Sequence, residues 1–141
     1  MTIVQWLLLP AFIHVAWVML LGFRMGRART GAIRAGRARI AEIALDNTRW
    51  PDDVRKFANN YDNQFQVPML FYAVLPLLLI TQLADIGSVV LGWAFVVGRI
   101  AHSLVHTGSN NVMRRFYGFV VSLMAVAAMW AWFALRLYVT G

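Results

Sequence analysis

Four strongly apolar stretches, at about 3–23, 65–84, 86–106 and 116–136, occupy most of the 141 residues, and Arg99 and Arg136 are the only formal charges inside them. Each is close to the roughly 20 residues that a helix rising 1.5 Å per residue needs to cross about 30 Å of hydrocarbon. Hydrocarbon offers no hydrogen-bond partners, so each stretch has to satisfy its own backbone as a helix. The expectation is therefore an all-α, integral membrane four-helix bundle forming a single domain over 1–141. With 60% hydrophobic and 13% charged residues the chain exceeds what one soluble core needs. A soluble helix should also show a polar face, and residues 86–97 show none.

Charge predicts the orientation. Nine of the 13 basic residues lie between Arg24 and Lys56, and Arg114 and Arg115 follow the third stretch, whereas the turn near Asp85 carries none. By the positive-inside rule the two basic connections face the cytoplasm, and both termini and the Asp85 turn face the other side. Met1 to Val4 carry no basic residue, so the first stretch reads as a retained span and not as a cleaved signal. The net charge of +7 then serves insertion and contact with anionic lipid. No aromatic-interleaved basic surface exists outside the loop, which argues against nucleic acid as a partner. There is no cysteine, and hence no disulfide, thiolate metal site or cysteine nucleophile.

The basic connection at about 24–60 is the only sizeable piece outside the membrane. Ile33, Ile40, Ile43 and Ala44 recur at helical spacing with arginines between them, the pattern of an interfacial helix or of a simple basic loop. A second helix is expected to begin at Pro51, with Asp52 and Asp53 complementing its positive end. Kinks are expected at Pro68 and Pro76. Asp85 to Ser88 reads as the outer turn, and Trp6, Trp50, Trp130, Trp132 and Tyr138 as rings anchored at headgroups.

Function must sit in the few polar groups. Asn59, Asn63 and Gln66 fall at i, i+4 and i+7 on the second helix; Arg99, His102 and His106 fall at i, i+3 and i+7 on the third. An arginine inside a span is costly unless it finds acceptors or a wet cavity, so Arg99 should point inward and the two stripes should face each other. Such a niche suits a small anionic ligand, or else forms a polar network that fixes helix register. His102 and His106 are spaced to bind a metal, but with no carboxylate or cysteine at that depth no metal is assigned. Lone His14 reads as a helix–helix hydrogen-bonding group, and haem held between His14 and His102 does not fit their depths.

The segments FANNYDNQFQVPMLFY (57–72) and GRIAHSLVHTGSNNVMRR (98–115), together with the four spans and the long basic first loop, resemble the membrane-associated proteins in eicosanoid and glutathione metabolism (MAPEG), and their small bacterial branch in particular. The resemblance implies a homotrimer that binds glutathione as co-substrate near the cytoplasmic face. It implies a glutathione transferase or peroxidase acting on lipophilic electrophiles in a bacterial inner membrane. The family's second-helix pattern of arginine, asparagine and glutamate falls on Asn59, Asn63 and Gln66, and only the asparagine matches. In the third helix its arginine falls on Arg99, and its paired tyrosine or histidine positions fall on His102 and His106. The thiol-activating arginine falls at Met113 or, with a one-residue shift, on Arg114, the candidate catalytic residue; Asn63, Gln66, Arg99, His102 and His106 would bind the ligand. The neutral Asn59 and Gln66 motivate an alternative: a non-catalytic lipid-binding protein, scaffold or accessory subunit of a larger membrane complex.

Overall fold

The computed structural model describes residues 1–44 and 46–140, so Leu45 in the basic connection and Gly141 at the end of the expected domain lie outside the described residues. Four helical segments, Ile3–Arg34, Asp52–Ile80, Ile86–Thr107 and Val112–Val139, are long and apolar enough to cross a membrane, and among the described residues there is no strand. Phe12, Met19, Phe23, Ile80, Val97, Leu104 and Met124 point outward, where lipid can cover them. The chain is an integral, multi-pass membrane protein.

Helix α1 (Ile3–Arg34) opens on a capping box in which Thr2 and Gln5 exchange backbone and side-chain bonds. Its 32 residues run roughly 48 Å, well past a hydrocarbon core. It ends because Gly36 turns left-handed (φ 68°), letting Arg37 N–H reach the Ala32 carbonyl and Gly36 N–H that of Ile33. The helical spacing expected to continue to Ala44 is therefore cut. Beyond it the described residues of the connection form a single turn, α2 (Ile40–Ile43), and a 3₁₀ turn over Asn47–Arg49. The connection folds back as a small core of Ala32, Ala38, Trp50 and Val54. Trp50 is buried there, with the Arg29 guanidinium 5.2 Å from its ring, so it is not a headgroup anchor.

The second span has two parts, α3 (Asp52–Asp62) and α4 (Val67–Ile80), separated by a 3₁₀ turn over Asn63–Phe65. Pro51 caps α3 from outside instead of starting it. The expected kink at Pro68 is a full break placed just ahead of it: Pro68 has no N–H to return to the Gln64 carbonyl and its ring would crowd that carbonyl, so the ladder stops and a new helix starts at Val67. Pro76 stays within α4 without ending it. The α4–α5 turn uses a left-handed Gln82 (φ 58°). Helix α5 (Ile86–Thr107) then begins immediately after Asp85, which is its N-cap, so the expected turn over Asp85 to Ser88 is the first turn of a helix.

Helix α5 packs most extensively on α6 (Val112–Leu135), and glycine makes this closeness feasible. A Cβ at Gly118 would stand 2.9 Å from the His102 backbone nitrogen, and one at Gly98 would stand 3.1 Å from that of Ser122. Phe71 and Phe95 stack at 4.5 Å in the bundle centre, among Leu7, Val74, Leu78, Val96, Val126 and Met129.

Candidate functional site

Where the backbone ladder breaks at Asn63, its carbonyl accepts a 2.6 Å bond from Arg99 Nη2. Arg99 is 1% exposed and points inward, as its depth in the span demands. One turn further along α5, His102 Nδ1 donates to the Arg115 carbonyl at 2.7 Å. Neither Arg99 nor His102 is among the residues lining the polar cavities described next. Each holds the backbone of a residue that is.

That cavity, of about 320 Å³, lies between α3, α5 and the start of α6 and is lined by Asn59, Asp62, Asn63, Gln66, His106 and Arg115. A second, of about 230 Å³, shares Asn59, His106 and Arg115 as walls and adds Asp52, Arg55, Lys56 and Asn110. The Arg115 guanidinium is steadied by the Asn110 side chain at 2.8 Å, and Lys56 Nζ donates to the Gly108 carbonyl at 3.3 Å, tying α3 to the α5–α6 connection. His106 is 3% exposed, and among the described residues its Nδ1 has no hydrogen-bond partner. A buried polar atom of this kind is costly unless a ligand or water completes it.

The two polar stripes thus meet, and Asn63, Gln66 and His106 share one cavity. Arg114 does not join them. It is exposed at the third position of α6, with its N–H bound to the capping Asn111 side chain; the cavity cation is Arg115, about 100° further round the helix. Sequence reasoning missed Asp62 and Arg115. It also missed a buried network in which Gln64 Nε2 donates to the Asn60 carbonyl (2.8 Å) and to Ser103 Oγ (3.2 Å). His14 Nδ1 and the Tyr72 hydroxyl share a hydrogen bond of 2.7 Å, joining α1 to α4. The signal was present: Asn60 and Gln64 repeat the i, i+4 spacing of Asn59 and Asn63 one step round the same helix.

A larger cavity of about 610 Å³ faces outward between α1 and the second span, lined mainly by Val15, Val18, Met19, Phe65 and Met69. No charged side chain reaches it. The converging cations, and an imidazole nitrogen without a partner on a residue that lines both hollows, mark the smaller, polar cavities as the candidate site.

A four-span bundle with a polar, cation-lined cleft at the end carrying its basic connection defines a class of small membrane proteins. Within that class, the MAPEG family's sequence model matches residues 7–135, and the chain belongs to this family. No curated protein matches the chain, and neither does any solved structure.

Proposed function

We propose that this MAPEG protein is a glutathione-dependent transferase or peroxidase acting on lipophilic electrophiles, working as a homotrimer in a bacterial inner membrane with its polar cleft toward the cytoplasm. The observation that supports this most is the paired cavity: two adjoining polar hollows that share Arg115 and His106, whose Nδ1 has no partner among the described residues. A peptide thiol beside a permanent cation ionises more readily, and the thiolate is the nucleophile. Arg115 takes that role in place of Arg114 because it lines both hollows. Asn59, Asn63 and Gln66 offer amides to the peptide, while Arg99 and His102 are positioning residues acting through the carbonyls of Asn63 and Arg115. The bilayer supplies the electrophile; sulfur forms the new bond to carbon as the leaving group departs with its electron pair.

The test is conjugation of chlorodinitrobenzene to glutathione by the purified protein. Arg115→Ala should lower the rate roughly a hundredfold, the scale on which one charge-stabilising donor contributes. Equal rates for wild type and Arg115→Ala would remove the enzyme reading. A foreign subunit co-purifying at equal stoichiometry would favour the accessory role instead.

A further inference from the structure

Of the three histidines, two are tied to the bundle through a ring nitrogen: His14 Nδ1 shares a hydrogen bond with the Tyr72 hydroxyl, and His102 Nδ1 donates to the Arg115 carbonyl. His106 is different. Among the described residues neither of its ring nitrogens makes a hydrogen bond, and it stands edge-on to His102 with ring centroids 5.5 Å apart. A buried imidazole that bonds nothing fixes no helix register and costs free energy where it stands. Yet it lines both polar hollows, as Arg115 does.

Ionising a thiol in these hollows takes two groups, one to stabilise the sulfur anion and one to receive the proton. Arg115, always protonated, can do only the first. Arg55 and Lys56 in the second hollow are cations as well, and Asp52 there is held by Arg55 at 2.7 Å. Asp62 is the other carboxylate in the walls, and carboxylates as a class are poor acceptors of a thiol proton near neutral pH, where imidazole is a good one. The remaining wall groups are amides.

We infer that His106 is the general base of the cleft and accepts the thiol proton of glutathione while Arg115 stabilises the sulfur. This rests on the glutathione reading above and adds the proton's destination to it. The S–H bond breaks with its electron pair left on sulfur, and the proton moves to a ring nitrogen of His106. Net charge in the cleft does not change. Arg115, Arg55 and Lys56 oppose an imidazolium standing alone, so the charge on His106 forms together with the thiolate and not before it. Sulfur then bonds to the electrophile's carbon, the leaving group departs with its electron pair, and the imidazolium returns its proton to water in the cleft.

The test uses the full-length protein in detergent micelles near pH 7 with glutathione, following the ultraviolet absorption of bound thiolate and the release of protons to an indicator dye in weak buffer. Wild type should form thiolate while releasing far less than one proton for each. His106→Gln, polar but not basic, should still form thiolate beside Arg115, release one proton for each, and conjugate chlorodinitrobenzene roughly a hundredfold more slowly. A full proton per thiolate from wild type, or equal stoichiometry in the two proteins, would overturn the inference and leave the role of Arg115 intact. Absence of thiolate in wild type would overturn both. The wild-type stoichiometry decides the matter even where the variant does not fold.

Discussion

Asp85 and Asp62 are both aspartates at helix ends, one at each end of the bundle, and their surroundings differ in every respect that matters. Asp85 is the N-cap of α5, the end where negative charge is favourable, and its carboxylate accepts from Ser88 N–H at 2.9 Å and from the Trp132 indole at 3.0 Å. Arg136 Nε lies 3.6 Å away. Burial pushes the Asp85 pKa up, but the bonds from Ser88 and Trp132 and the charge of Arg136 outweigh it and hold the group below 3.8. Asp62 ends α3 where the backbone runs on into the 3₁₀ turn Asn63–Phe65, accepts no capping bond there, is exposed and has no ion pair among the described residues. A carboxylate whose place serves the helix and whose oxygens are saturated is structural. One left exposed and unpaired in a cavity wall is available to a ligand.

The comparison is sharpened most at Arg99, a buried cation that serves structure although it lies beside the ligand cleft. Arg99→Ala should destabilise the protein by about 3 kcal/mol through the lost packing and the orphaned Asn63 carbonyl, seen as a large fall in melting temperature in micelles. A melt matching wild type would show that Arg99 holds nothing together. Next comes the capped end: Asp85→Ala should cost about 1–2 kcal/mol for the lost cap and indole bond, with glutathione affinity untouched. The folded-state pKa of Asp85 is depressed, so its charge-dependent contribution is fully present above the ordinary carboxylate range. It disappears as pH falls through the lowered value. Wild type and Asp85→Asn should therefore differ by a constant melting temperature above about pH 5 and converge in stronger acid.

The smallest stability effect is expected in the cleft. Asn59→Ala, at an exposed wall residue, should change stability by less than about 0.5 kcal/mol while weakening glutathione binding. If it melted as early as Asp85→Ala, the division between a structural end and a ligand end would collapse.

Much of this was legible in order of chain position. The four spans, the inward turn of Arg99 and the meeting of two polar stripes follow from what an apolar medium forbids. Trp50 was misread because an aromatic near the end of a span suits a headgroup region and a folded-back loop equally well; only the left-handed Gly36 decides between them. The indoles of Trp132 and Trp130, expected as anchors near span ends, also donate to Asp85 and to the Leu70 carbonyl, partners that residue type alone does not reveal. Arg114 and Arg115 are indistinguishable as letters. The rotational phase of α6 against α5, set where Gly118 lets the helices close on His102, puts one outside and the other in the cleft.

The sequence by itself determined that this is a helical membrane protein and which residues are too polar for lipid, because the need to satisfy each span's own backbone is local and is fulfilled by composition and length. Only the tertiary structure decided which of those polar groups are spent on each other and which remain free. Pairing depends on where helices break, how they are rotated and how closely they cross, and those are properties of segments that meet from distant parts of the chain.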